Sequence, residues 1–462
     1  MKNTKGFLIA AMLAASAALS ACGGGGGGGG STASTSSTTN TTVAVNATPL
    51  VPAAYVPTTT PVAPPPSNVA NQVPVTVASD AALGSLNRAF VSVTVCAPGT
   101  TTCQTVNNVA VDTGSTGLRL YASALNSQTL AALPAVPTAS GAPSAECAET
   151  MTALFWGSVR SADVKLAGEV AASLPIQILQ DPAYAEPASC PTTEVAATPA
   201  DIGANGILGV SSYRQDCGPG CASGYYVCSG STCSPQGTVT SAQVSNPVAS
   251  FLQDYNGTII TLPNVPAMGA PQVTGTLTFG LDTQADNSAT NIGGRYYNAP
   301  PSSGQLVGSA ASSTFPIVLT TGANAYYFSG KLLPTTPQCT LTSPLFYCQG
   351  GDNWPVPTPG ATSYTPLSVS FYTSVTAPNG STSTLTVTAA NADQMMAVTS
   401  PSMTEPGAGS NFAYNDLAAN SDTLPLIAGK FTLGLPFYLG RSVGTVLEGA
   451  AFSGGMGPGV QF

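Results

Sequence analysis

Charge is what this 462-residue chain has least of: 7% of it is Asp, Glu, Lys or Arg, against about a quarter in ordinary globular proteins. That scarcity excludes long, salt-bridged helices. Gly, Ser, Thr, Ala and Pro fill the space instead, and they suit turns and many short strands. With 11 basic against 20 acidic residues, the chain has no basic surface to neutralise phosphates, which excludes nucleic acid as a partner. It also has no polybasic patch for anionic lipid. Histidine is absent altogether. Without imidazole there is no Ser-His-Asp or Cys-His nucleophile and no His-based metal site, so no metal or cofactor is expected. GVSSY (209–213) lacks the second glycine of a nucleophile elbow. The eight glycines at 23–30 are followed by no lysine, so they form no phosphate loop.

What is present begins with an export signal. Lys2 and Lys5 precede FLIAAMLAASAAL (7–19), an apolar run too short to cross a bilayer as a stable helix. It ends in LSAC (19–22), which resembles a bacterial lipobox, with Cys22 as the lipidated first residue of the mature chain. The competing reading is an ordinary signal peptide cleaved nearby. Gly23, where an inner-membrane retention signal would have Asp, points by resemblance to the outer membrane of a diderm bacterium. Removing residues 1–21 takes away Lys2 and Lys5 and leaves 9 basic residues against 20 acidic ones, a net charge of −11. Residues 22–74 read as a disordered tether: glycines, then Ser/Thr, then an Ala/Val/Pro stretch with APPPS at 63–67.

The remaining ten cysteines are Cys96, Cys103, Cys147, Cys190, Cys217, Cys221, Cys228, Cys233, Cys339 and Cys348. An even number in an exported chain reads as disulfides. Cys96–Cys103 and Cys339–Cys348 would close short loops, but the full connectivity is not deducible. The four thiols of CGPGCASGYYVCSGSTC (217–233) could alternatively enclose a metal.

From about residue 73 apolar and polar positions alternate with the period of half-buried strands. QVPVTVAS and FVSVTVCA are followed by strand candidates at 162–168, 174–180, 258–263, 274–280, 315–320, 367–373 and 382–391. The best helix candidate is NPVASFLQDYN (246–256), with Pro247 at its start and apolar Val248, Phe251 and Leu252. A folded part of this size exceeds what one core usually serves. An internal repeat supplies the division. VDTGSTGLRLY (111–121) aligns with LTTGANAYYFS (319–329), setting Asp112, Thr113, Gly114 and Ser115 opposite Thr320, Thr321, Gly322 and Ala323. Each copy is followed downstream by an apolar-apolar-Gly strand, GILGV (206–210) and FTLGLPFYLG (431–440).

These motifs resemble the pepsin-type aspartic proteases, in which each lobe supplies one D-[TS]-G-[ST] turn backed by an apolar-apolar-Gly strand. MTALFWGSVRSADVKLAG (151–168) stands where that family has its flap hairpin. A nearer resemblance, carried by the lipobox, tether, cysteine-rich insert and GLPFYLGR ending, is to a bacterial lipoprotein family of unknown function with a pepsin-like pattern. The resemblance implies a mainly β, bilobal, antiparallel fold with few short helices, lobes at 75–285 and 286–462, and a catalytic turn at Asp112, Thr113, Gly114 and Ser115. It also implies that the Thr and Ser of each turn hydrogen-bond the carboxylates. Trp156 and Tyr327 could flank the substrate groove, with a core position as the favoured reading. Arg119 reads as a surface strand residue.

In such a site two carboxylates about 3 Å apart share a proton; one activates water while the other protonates the substrate carbonyl. Here Thr320, Thr321 and Gly322 form a degenerate second turn. A threonine hydroxyl supplies no mobile proton near neutral pH, and such acid–base help is worth about 10²–10⁴ in rate. Asp282, Asp286 and Asp352 have no spacing that places them at the pair. Three functions follow as expectations: a degenerate homologue that binds a peptide, a protein or another cell-envelope ligand in the interlobe cleft without cutting it, an active hydrolase with an unusual partner for Asp112, or a structural or assembly factor of the cell envelope.

Overall fold

The computed structural model describes residues 70–462, except 79–82, 84, 151–152, 191–194, 219–220, 222, 299–305, 311, 341–342, 352–366, 378–379, 381, 398–411 and 425. The signal sequence, Cys22, the tether up to residue 69 and Asp352 lie outside them.

The fold is mainly β, in two lobes with few short helices, as expected. Alternating apolar residues bury one face of each strand: Val73, Val75 and Val77 in Gln72–Val77, and Val91, Val93 and Val95 in Ala89–Cys96. The first strand therefore starts inside the stretch read as tether. A second sheet of seven strands forms the C-terminal lobe, running from Thr382–Ala390 to Ala418–Asn420. The larger sheet continues from the N-terminal lobe into strands drawn from both halves of the sequence. Gln72–Val77 pairs with Val273–Phe279, then come Gly257–Leu262, Arg441–Val446, Gly459–Gln461 and Tyr296–Asn298.

The repeat is a repeat of topology. Cys103–Asp112 runs parallel to Gly206–Val210, which pairs antiparallel with Thr116–Tyr121. In the other lobe Ser313–Leu319 runs parallel to Phe431–Leu433, which meets Tyr326–Phe328 antiparallel through Tyr327 and Thr432. The glycine of each apolar-apolar-Gly motif is required by close approach. A Cβ on Gly209 would lie 2.7 Å from the Ser115 carbonyl oxygen, and one on Gly434 2.1 Å from that of Ala325.

Five disulfides join Cys96–Cys103, Cys147–Cys190, Cys217–Cys221, Cys228–Cys233 and Cys339–Cys348. Both short-loop pairs are among them, and the four thiols of the insert pair locally. The helix expected over 246–256 is a single 3₁₀ turn, Pro247–Ser250. Asn246 caps it, and Val248 and Phe251 are buried three residues apart, the spacing that eclipses in a 3₁₀ helix. Leu252 is 93% exposed, so the apolar face does not continue. Helices that the composition hid are Ser127–Ala132, Pro199–Ile202, Ala392–Ala397 and Leu435–Tyr438. All are short, as the scarcity of charge implies.

Candidate functional site

The two turns meet. Each lies at the end of a buried strand, and each threonine after the lead residue reaches the opposite backbone. The Thr113 N–H donates to Thr321 Oγ1 and the Thr321 N–H to Thr113 Oγ1, both at 3.2 Å. The Thr321 hydroxyl donates to the Val111 carbonyl at 2.6 Å, while Thr113 Oγ1 shares a hydrogen bond of 2.8 Å with the Tyr438 hydroxyl. The partners are 208 positions apart, the offset of the repeat. This reciprocal lock is the contact that a two-fold relation between the lobes demands, and it buries both threonines.

Inside the lock the two lead residues touch. The Thr320 hydroxyl donates to Asp112 Oδ1 at 2.5 Å, within the range of a hydroxyl donating to an ionised carboxylate. The same Oδ1 accepts from the Gly114 N–H at 2.7 Å, and Thr320 Oγ1 accepts from the Gly322 N–H at 3.0 Å. The threonine oxygen thus takes the inner position that a second carboxylate oxygen would fill, backbone donor included. What it lacks is the outer oxygen. The approach is tight enough that a Cβ on Gly322 would lie 2.6 Å from the Asp112 carboxyl carbon.

Other expectations are corrected. Thr113 and Ser115 do not bond the carboxylate: Thr113 is engaged in the lock, and Ser115 Oγ is buried with no hydrogen-bond partner among the described residues. Trp156 is 1% exposed and lines no groove; its indole N–H donates to the Tyr184 carbonyl and its ring meets Tyr226 edge-on, packed beside the cysteine-rich insert. Tyr327 is buried as well. Its hydroxyl donates to Asn324 Oδ1 at 2.6 Å, so it supports the second turn from behind. Arg119 is no surface residue. It is 2% exposed and pairs with Glu146 at 3.0 Å and Asp216 at 2.8 Å, anchoring the insert to the lobe. Burial pushes the Glu146 carboxyl well above its usual range, and Arg119 opposes that shift. Asp282 accepts from the backbone of Ala289 and Ser453, and Asp286 from Asn71 and Gln72, so neither reaches Asp112.

Residues that the sequence reading missed complete the site. Arg88 is 6% exposed, and its guanidinium lies near enough to Asp112 for the carboxylate to act on it. Burial pulls its pKa down, and Asp112 opposes that shift. The adjacent Asn87 donates to the Asn324 and Tyr414 carbonyls at 2.9 and 2.8 Å and accepts from the Tyr414 N–H at 2.7 Å. A segment just before Ala89–Cys96 therefore packs on the second turn and brings a cation toward Asp112. The one available signal was that any buried charge is conspicuous in so uncharged a chain. The resulting arrangement has one carboxylate, one hydroxyl and one nearby guanidinium. It can accept hydrogen bonds and hold a water, but Thr320 cannot return a proton to a leaving group.

No curated protein matches the chain. Among solved structures, the aspartic proteinase from Irpex lacteus is similar at 16% identity and a TM-score of 0.44, over 84% of this chain and 96% of that one. Residues 67–462 match the family described as "Protein of unknown function (DUF3443)", and the chain belongs to that family.

Proposed function

We propose that this protein is an exported lipoprotein, anchored through Cys22 to the outer membrane, that uses a degenerate aspartic-protease-like site to bind an extended peptide or protein segment without hydrolysing it. The observation that carries the reading is the Thr320 hydroxyl on Asp112 Oδ1, where hydrolysis needs a second carboxylate. Two turns locked by reciprocal hydrogen bonds give a rigid floor. A half-formed acid pair on that floor still offers a hydrogen-bonding charge to a bound backbone.

The test uses the full lipidated protein in detergent with unstructured peptides, read by fluorescence anisotropy for binding and by mass spectrometry for cleavage from about pH 3 to 8. Binding without cleavage is expected. Cleavage that disappears in Asp112→Ala would overturn the reading. It would support the second one, an active hydrolase, which the intact geometry around Asp112 favours. The anchor is checked separately: labelled palmitate should enter the wild-type chain and not Cys22→Ala.

A further inference from the structure

A second polar site lies in the C-terminal lobe, away from the paired turns. A cavity of about 450 Å³ opens between the strand Thr382–Ala390, the stretch holding Asp416 and the turn after the helix Leu435–Tyr438. That volume lies within the range of small-molecule sites. Asp416 and Arg441 both line it. Asp416 is half-buried, no hydrogen bond to its carboxyl is formed among the described residues, and the burial pushes its pKa up to about 6. Arg441 is held in place: one guanidinium N–H donates to the Phe437 carbonyl at 2.7 Å, and its carbon lies 4.6 Å from the centre of the Phe437 ring. The buried Tyr326 lines the same cavity.

The rest of the wall is complementary to a short polar molecule. Thr386 and Thr388, two apart on one strand, face the same side, and Pro436 supplies an apolar patch. Asn415 Oδ1 is buried without a hydrogen-bond partner among the described residues. A half-buried acid without a partner and an exposed but held base in one cavity favour a ligand that carries both signs, because a lone anion would leave Asp416 unanswered and a lone cation would gain nothing from Arg441. A neutral sugar answers neither.

We infer that this cavity binds a small zwitterion, a free amino acid or short peptide, with its ammonium on Asp416 and its carboxylate on Arg441. The site shares with the paired turns the helix Leu435–Tyr438, whose Pro436 lines the cavity and whose Tyr438 hydroxyl meets Thr113, and the strand Tyr326–Phe328, but neither Asp112 nor Thr320 lines it. The inference is therefore independent of the function proposed above.

The test titrates the full lipidated protein in detergent calorimetrically at about pH 7.5, using dialanine, N-acetyl-dialanine, dialanine amide and methyl glucoside. Dialanine should bind at least about tenfold more tightly than each of the other three. Asp416→Asn should abolish its advantage over the acetylated form, and Arg441→Gln its advantage over the amide. Thr386→Leu, at an exposed strand position, should weaken dialanine by filling the cavity; it serves if either charge variant misfolds by circular dichroism. Equal affinity for capped and free dipeptide, equal affinity for the glucoside, or no binding at millimolar dialanine would each overturn the inference.

Discussion

Thr320 decides what Asp112 can do. Its hydroxyl reproduces the inner oxygen of a missing carboxylate and none of that group's proton chemistry. Thr320→Asp should therefore bring two carboxylates together and create acid-optimal peptide hydrolysis, about 10²–10⁴ above the background of the parent protein, measured by release of a fluorogenic peptide. Removing the hydroxyl while keeping the shape, as in Thr320→Val, leaves Asp112 Oδ1 and the Gly322 N–H each short of a partner. It should cost about 1–3 kcal/mol in urea unfolding. Asp416 tests the other sign. A carboxyl whose pKa is higher in the fold than in the open chain binds its proton more tightly when folded. Its contribution is therefore present at acid pH and lost as pH rises from 3.8 through about 6. Asp416→Asn should raise stability at neutral pH by on the order of 1–3 kcal/mol and leave it unchanged near pH 3, read as a pH-dependent difference in Tm. At this scale the sequence was legible where a motif is local. DTGS and its aligned TTGA named the two residues that touch. Arg88, Asn87 and Tyr438 were not legible, because tertiary packing brings them to the site from other elements.

The elements follow from composition more directly than from any motif. Val- and Thr-rich alternation marked the strands, and most of the candidates are strands. What failed was the helix at 246–256, where the apolar residues fit a 3₁₀ turn and Leu252 turns outward. The capped helix Pro199–Ile202 went unnoticed although its signals are in the chain: Thr198 and Asp201 form a capping box, Pro199 follows the cap and Gly203 ends it in the left-handed conformation. The glycine strands carry the sharpest prediction. Gly209 lies opposite Asp112 in the parallel pair, and its missing Cβ allows the Ser115–Thr116 backbone to pass over it. Gly209→Ala should lower stability by about 3 kcal/mol, seen in thermal unfolding, and should displace the turn that holds Asp112.

Across the whole molecule, cross-links and the shared sheet define how the lobes hold together. Cys147–Cys190 spans 43 positions and Cys217–Cys221 only 4. Loop-closure entropy gives the first about 4 kcal/mol and the second about half that. Replacing the first pair by serines should therefore lower the urea midpoint more than replacing the second. The pairing of cysteines was legible as a class; four of the five pairs close short loops, and Cys147–Cys190 was the one that waited on the fold. The repeated turn-and-strand unit was legible, whereas the return of Arg441–Val446 and Gly459–Gln461 to pair beside Gly257–Leu262 was not.

That return has a bearing on what proteolysis near the N-terminus would leave behind. The folded body is stitched from both ends: Gln72–Val77 and Gly459–Gln461 belong to one sheet, and Asn71 already bonds the Phe279 carbonyl. A protease cutting anywhere upstream of Ala70 would shed a body with every described strand in place. A cut a few residues past Val77 would strip a strand from the sheet that the two lobes share. A cut that spares the folded body and one that breaks it are thus separated by less than ten residues of sequence.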